Sequence, residues 1–132
     1  MKKIKIHFTI TSSEANNQFT TDGEFKNNRM KFVDNEENLN YIVFKKDALE
    51  YYKRGNIEMK YNFRLGHKTT GEYKTSGVQF SFSILTKRLV VNENMIEIEY
   101  DLYQDDEVVN KTKIHIEYDF CKEDTVWVYK FH

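Results

Sequence analysis

The chain has 132 residues, a length typical of a single domain with one hydrophobic core. Its 20 lysine and arginine residues nearly balance 21 aspartate and glutamate residues, so the net charge of −1 argues against nucleic acid or an anionic membrane as a partner. A single cysteine excludes an intrachain disulfide, and no apolar run is long enough for a signal peptide or a membrane helix. We therefore expect a soluble, cytoplasmic protein.

Alternation between apolar and polar residues dominates the sequence and predicts β-strands that each bury one face. In chain order, strands are predicted at roughly residues 2–11, 18–26, 30–33, 41–44, 49–53, 57–63, 68–75, 78–84, 89–91, 96–102 and 113–120. Turns are predicted at Asn27-Asn28, Arg54-Gly55-Asn56, Asn92-Glu93-Asn94 and Gln104 to Glu107. Since no segment is patterned as a crossover helix, about ten closely spaced strands indicate an antiparallel sandwich or closed barrel.

Residues 64–77, RLGHKTTGEYKTSG, have the composition of a phosphate-binding loop. The order is wrong, because Glu72 and Tyr73 stand where such a loop needs a lysine and a serine or threonine to hold phosphate and Mg²⁺. A strand pattern also surrounds the stretch, whereas a phosphate loop leads into a helix N-terminus. The stretch is therefore predicted to form a turn, a strand and a second turn.

Several short motifs occur in an order and spacing that resemble a known family. They are Gly23-Glu24-Phe25, YKRGNIEMKYNFRLG at 52–66, EYKTSG at 72–77, TKRL at 86–89 and IEIEYDL at 96–102. Over roughly residues 3–118, the chain resembles the DUF1934 (YwiB-like) family of uncharacterised bacterial proteins. The resemblance implies a single all-β domain over residues 1–120, a calycin-like (lipocalin-like) antiparallel barrel of about 8–10 strands, with residues 121–132 as a C-terminal extension.

The predicted inner face is bulky and aromatic, and one strand adds hydroxyl groups to it. A barrel of this size is either filled by its own side chains or holds one small ligand. Thr69, Tyr73 and Thr75 would bring polarity to an apolar concavity, which is the usual form of a small-molecule pocket. By resemblance to lipocalin-like barrels, we predict non-catalytic binding of a small, largely apolar ligand; a core filled by its own side chains is the alternative. The predicted lining is Met59, Tyr61, Phe63, Thr69, Tyr73, Thr75, Phe80, Phe82, Thr86 and Tyr100.

No pattern in the sequence indicates an enzyme, a metal site or a cofactor. The four histidines occur singly along the chain, and Cys121 lacks a neighbouring base that would activate its thiol. Glu97, Glu99 and Asp101 share one face of a strand. An outer wall neutralised by lysines across the next hairpin explains these carboxylates better than acid–base catalysis does.

The C-terminal extension supports a second functional hypothesis, in which the protein is an interaction or structural protein. Trp127, Tyr129 and Phe131 share one face of a predicted extra strand. Because an unpaired strand is a template for pairing with another chain, these three residues could join two copies into a homo-oligomer or bind another partner.

Overall fold

The computed structural model describes residues 1–121 as ten β-strands and the turns that join them. The strands are β1 (Lys2–Ser12), β2 (Asn16–Lys26), β3 (Arg29–Val33), β4 (Leu39–Phe44), β5 (Leu49–Arg54), β6 (Ile57–Phe63), β7 (Lys68–Thr75), β8 (Val78–Val91), β9 (Met95–Gln104) and β10 (Glu107–Phe120). This part of the chain contains no helix, and hence none that could cross a membrane. Trp127, Tyr129 and Phe131 lie outside the described residues.

The ten strands form one closed antiparallel barrel in which each strand pairs with the next along the chain. Closure comes from β1 and β10, whose register runs from Ile4 opposite Phe120 to Ser12 opposite Thr112. This pairing satisfies backbone groups that would otherwise form two exposed sheet edges. The predicted all-β antiparallel barrel is therefore confirmed with ten strands, and the sandwich alternative is wrong.

The turns define two ends of the barrel. The upper end consists of residues 13–15, 34–38, 55–56, 76–77 and 105–106, and the lower end of residues 27–28, 45–48, 64–67, 92–94 and 121. Both central residues of three two-residue turns, Asn27-Asn28, Ser76-Gly77 and Asp105-Asp106, have positive φ. Positive φ at both positions matches the right-handed twist of the flanking strands, and Asn, Asp and Gly tolerate it. The turns predicted at 27–28 and 104–107 are confirmed.

One continuous apolar cluster fills the barrel and takes side chains from eight of the ten strands. Alternate residues point inward, as in β1, where Ile4, Ile6 and Phe8 are buried. The inward residues of β2 and β7 are only partly buried, apart from Gly71 on β7. A Cβ at Gly71 would lie 2.6 Å from the Ile84 side chain, so neighbouring residues already occupy the space that a missing side chain leaves.

Strand β8 departs from the sequence prediction. The pattern predicts two strands, at 78–84 and 89–91, whereas the structure has one strand through both. The register with β9 shifts between Thr86 and Arg88, so Lys87 is an extra residue. Such a bulge interrupts the alternation of apolar and polar residues while the strand itself continues. It also places Lys87 Nζ 3.1 Å from Asp101 Oδ1.

Candidate functional site

The predicted lining residues divide into three groups by burial. Tyr61, Phe63, Thr86 and Tyr100 are buried. Met59, Tyr73 and Phe82 are partly buried and pack against the core near the upper end. Thr69 and Thr75 on β7 are also partly buried, and Phe80 is exposed. Strand register places Met59 beside Tyr73 and places Gly71 between Tyr61 and Phe82.

Aromatic rings reach across the barrel and close its centre. The ring centroids of Phe63 on β6 and Tyr100 on β9 are 4.8 Å apart. On the other side of the interior, the Phe8 ring on β1 lies 6.4 Å from the Tyr51 ring on β5. These separations are those of packed aromatic pairs. A ligand at the centre would have to displace buried rings, so the interior is filled at this level.

Of the three hydroxyl residues predicted on β7, only Thr69 has a hydrogen-bond partner among the described residues. The Thr69 hydroxyl donates to the backbone carbonyl of Asn62 and lies 3.5 Å from the carbonyl of Ile84. Thr75 is half-buried in the last pair of the β7–β8 hairpin, opposite Val78. Tyr73 reaches an open cleft of about 340 Å³ at the upper rim, where charged side chains surround it. The three residues therefore contribute no row of free hydroxyls to an internal pocket.

Phe80 does not line the barrel interior. It has the inward parity of β8, but its side chain is 39% exposed. The reason is the length of the β7–β8 hairpin, which carries Phe80 to the rim and stacks its ring on that of Phe82 at 6.2 Å. The alternation of residues along a strand predicts on which face each side chain lies, but it does not predict where the barrel wall ends.

The buried hydroxyls of the interior are neutral hydrogen-bonding groups. Burial raises the pKa of Tyr51, Tyr61 and Tyr100 above the ordinary range for tyrosine. The Asp34 carboxylate raises the pKa of Tyr51 further, because a tyrosinate beside it would be repelled. Thr86 Oγ1 is buried and has no hydrogen-bond partner among the described residues. Because these hydroxyls keep their protons at neutral pH, they can donate hydrogen bonds but do not act as bases.

A buried polar network at the upper end was not predicted from the sequence. The Asp34 carboxylate accepts hydrogen bonds from the backbone N–H groups of Glu36 (2.9 Å) and Asn38 (3.0 Å) and from Asn40 Nδ2 (3.0 Å). Lys53 Nζ lies 3.1 Å from the same carboxylate. Burial opposes ionisation, but these hydrogen bonds and the Lys53 charge outweigh it and hold the pKa of Asp34 below its ordinary value.

The network continues into the barrel. The Tyr51 hydroxyl donates to Asn40 Oδ1, and the backbone N–H of Ile57 donates to Asn38 Oδ1 at 3.3 Å. The sequence does indicate this network. Asn38 and Asn40 lie at every second position before buried Ile42, so they face the interior as Ile42 does. Two amides at core positions next to an aspartate indicate a hydrogen-bonded network, because unpaired polar groups in a core are costly.

The lower end has an open cleft of about 510 Å³ between two turns and the end of β8. Its apolar lining is Phe44, Ala48, Leu49, Leu65, Leu89 and Val91. Its polar rim is Lys45, Lys46, Asp47, Arg64 and His67. Three cations face one carboxylate on this rim, and Lys45 Nζ also lies 3.8 Å from Glu50 Oε1. The cleft thus joins an apolar floor to a positively charged edge.

Backbone hydrogen bonds fix the two turns that frame the lower cleft. Lys45 N–H donates to the Ala48 carbonyl at 2.9 Å, and Gly66 N–H donates to the Thr86 carbonyl at 2.9 Å. Gly66 has a φ of 76°, and a Cβ there would meet nothing within 4 Å. Leu65, in the same turn, is 53% exposed at the edge of the cleft.

The acidic row of β9 is neutralised by its neighbours. Glu97 Oε1 lies 3.2 Å from Lys113 Nζ on β10 and 3.4 Å from Arg88 Nε on β8. The hydrogen bond from Lys113 lowers the pKa of Glu97 below its ordinary value. Asp101 is buried, unlike the other carboxylates of the row, because the β8 bulge brings Lys87 over it. The row is a set of ion pairs on the outer wall.

The remaining reactive side chains are scattered. Within residues 1–121, no three histidine, cysteine, aspartate or glutamate side chains come together in a way that could hold a metal ion. Cys121 is exposed, and His115 Nε2 lies 3.1 Å from Glu117 Oε1 on the outer wall. Neither side chain lies in a cleft with a second reactive group, so neither indicates catalysis.

Fold and site together define a small closed up-and-down β-barrel with a filled centre and clefts at its ends. The model of the family described as "Domain of unknown function (DUF1934)" matches residues 3–116, and the chain belongs to that family. The match covers all ten strands apart from the ends of β1 and β10. No curated protein is detectably similar in sequence.

A solved structure has the same fold. The crystal structure of the ywiB protein from Bacillus subtilis matches with a TM-score of 0.69 and 17% sequence identity. The match covers 92% of this chain and 93% of that one, so the two barrels correspond over nearly their whole lengths. This likeness supports the YwiB-like fold, whereas the calycin relationship stays a prediction.

Proposed function

We propose that the protein binds, without catalysing a reaction, a small amphiphilic ligand that has an apolar body and an anionic head. The lower-end cleft carries this proposal, because it places an apolar floor beside a rim on which cations outnumber carboxylates. Its volume of about 510 Å³ is within the range of small-molecule sites. A medium-chain fatty acid has the corresponding shape and charge.

The lower cleft accommodates such a ligand better than the barrel centre does. Packed rings such as Phe63 and Tyr100 occupy the centre, and displacing them would disrupt the core. At the lower end, Leu65 is already exposed and Leu89 is partly buried, so covering them removes apolar surface from water without opening the core. Lys46 and Arg64 would then contact the head group at the rim.

Displacement of an apolar fluorophore by dodecanoate tests the proposal, with dodecanol as the neutral ligand of equal chain length. We expect dodecanoate to bind about three- to tenfold more tightly than dodecanol, because exposed ion pairs contribute roughly 0.2–1 kcal/mol each. Lys46→Glu and Arg64→Glu should each remove part of this preference. Lys111→Glu, on the outer wall of β10 and outside the cleft, is the matched control and should preserve it.

Two results would contradict the proposal. The first is an absence of saturable dodecanoate binding to the folded protein. The second is an equal loss of the preference for dodecanoate in Lys46→Glu and Lys111→Glu, which would show that binding responds only to the overall charge of the protein. Leu65→Ser separates the apolar contribution, since it should weaken dodecanoate and dodecanol alike.

A second candidate function is association of two copies through Trp127, Tyr129 and Phe131. The observation that favours it is the position of Phe120, which is 42% exposed at the end of β10 just before this segment. Light scattering on the full chain and on the triple variant Trp127→Ser, Tyr129→Ser, Phe131→Ser tests it. A dimer that the triple variant abolishes would support association, and a monomer in both proteins would refute it.

A further inference from the structure

The outer wall of the barrel carries an ordered row of tyrosines and lysines. In the register of the sheet, Lys31, Tyr41, Tyr52 and Lys60 stand side by side on β3, β4, β5 and β6. All four have outward parity, and both tyrosines are half-buried. Neighbouring strands are about 4.8 Å apart, so the lysines lie about 14 Å apart with two adjacent rings between them.

Two arginines complete this surface, which we call the tyrosine wall: Arg29, Lys31, Tyr41, Tyr52, Arg54 and Lys60. Arg29 Cζ lies 5.6 Å and Lys31 Nζ lies 5.8 Å from the centroid of the Tyr41 ring. Lys60 Nζ lies 5.9 Å from the centroid of the Tyr52 ring. These distances are at the outer limit of a cation–π contact. The cations therefore lie near the rings but are held there weakly, and they can still form a stronger ion pair.

Open clefts of about 460 Å³ and 350 Å³ flank Tyr41 on its two sides. Their charged lining is Lys26, Arg29, Lys31, Lys45 and Arg54 against Glu24 and Glu50. The local charge is therefore +3, although the whole chain carries −1. Segregation of charge creates an electropositive surface that the net charge conceals.

We propose that the tyrosine wall binds single-stranded nucleic acid. Bases stack on Tyr41 and Tyr52, and the cations of the wall pair with the phosphates on either side. Stacking on aromatic side chains beside a basic track is the general mode of binding for single strands, and it tolerates any base sequence because every base has a π-face. A duplex binds the tyrosine wall less tightly, because its bases are stacked on one another and do not stack on the tyrosines.

Fluorescence anisotropy of a labelled 12-residue oligothymidylate, titrated with the full-length protein at low salt, tests the proposal. We expect Tyr41→Leu and Tyr52→Leu each to weaken binding roughly tenfold, the effect of removing one stacking platform. Tyr41→Phe retains the ring and should bind as the unchanged protein does. Lys31→Glu should weaken binding and reduce the magnitude of the salt slope by about 0.7 for each phosphate that it leaves without a cation.

Controls distinguish this site from general attraction to polyanions. Lys111→Glu makes the same change of charge on the wall formed by β10 and should leave the affinity unchanged. The circular dichroism spectrum of each variant confirms that it is folded. The proposal is overturned if the oligonucleotide does not bind, if Tyr41→Leu and Tyr52→Leu bind like the unchanged protein, or if inorganic polyphosphate or phosphatidylglycerol vesicles bind with the same dependence on both tyrosines.

Discussion

The two ends of the barrel differ: a buried polar network occupies the upper end, and an open cleft with an apolar floor occupies the lower end. At the upper end, Asp34 and Asn38 of the 34–38 turn are buried, and the Asp34 carboxylate alone accepts hydrogen bonds from three donors. At the lower end, apolar side chains such as Leu65 and Val91 remain exposed around an open cleft. We therefore expect the upper network to contribute to the stability of the fold and the exposed apolar side chains of the lower cleft to contribute little.

Two glycines should show the largest contrast in free energy of unfolding between the ends. A Cβ at Gly55, at the upper end, would lie under 3.0 Å from Asn38 Oδ1 at a φ of 152°. Gly66, at the lower end, has a φ of 76° and open space around it. We expect Gly55→Ala to cost about 3–4 kcal/mol, because strain and overpacking add, and Gly66→Ala to cost about 1 kcal/mol from φ alone.

Urea unfolding of both glycine variants, followed by circular dichroism, measures this contrast. Equal losses of stability for Gly55→Ala and Gly66→Ala would show that the upper turn adjusts and that the ends do not differ in packing.

Removal of the Asp34 carboxylate should have the next largest effect. Asp34→Ala leaves two backbone N–H groups and one of the two Asn40 Nδ2 hydrogens without an acceptor, which we expect to cost about 2–3 kcal/mol. The other Nδ2 hydrogen still bonds to the Asn38 carbonyl. Asp22→Ala is the matched control, because its carboxylate is exposed and lies 3.9 Å from Lys5 Nζ. The control should change the free energy of unfolding by less than about 0.5 kcal/mol. Similar losses of stability in the two variants would refute a structural role for the upper network.

The Asp34 contribution should also depend on pH in a defined direction. Because the folded protein holds the pKa of Asp34 below its ordinary value of 3.8, the carboxylate stabilises the fold fully above that value. The stabilisation is lost as the pH falls from 3.8 through the lower folded pKa. The difference in unfolding free energy between the unchanged protein and Asp34→Ala should therefore narrow on acidification. A difference that is constant from neutral pH to about pH 2 would contradict this account.

The smallest effect on stability is expected at the lower end. Leu65 is 53% exposed, so Leu65→Ser should change the free energy of unfolding by less than about 0.5 kcal/mol. The same variant should weaken dodecanoate binding if the cleft is used. A large loss of stability, measured by urea unfolding, would show that Leu65 supports the fold, and the contrast between the two ends would then fail.

Prediction from the sequence was most accurate for features that depend only on residues close together in the chain. The alternation of Ile4, Ile6 and Phe8 is a property of the extended chain itself, and the asparagine pair at 27–28 indicates a backbone conformation that few residues tolerate. The residue patterns alone did not distinguish a barrel from a sandwich, and the resemblance to the DUF1934 family predicted the barrel. The family match confirms the resemblance, and the closed sheet confirms the barrel.

The candidate sites were harder to predict because they depend on where strands end and on which neighbours they meet. Parity placed Phe80 inside, but the length of the β7–β8 hairpin puts it at the rim. Parity also placed Asp101 outside, but the β8 bulge covers it with Lys87. The lower cleft brings together residues as far apart in sequence as Phe44 and Val91, so no local pattern marks it.

The sequence by itself determined where most of the strands lie, the faces they bury and several of the turns that join them, because these follow from side-chain alternation and backbone preference within a few residues. Only the tertiary structure decided that β1 closes on β10, that the rings of Phe63 and Tyr100 fill the centre, and that cations gather around Tyr41. These features depend on the register between strands, which brings together residues that are distant in the sequence. A net charge of −1 is the same for any arrangement of the chain, whereas the positive wall exists only once that register is fixed.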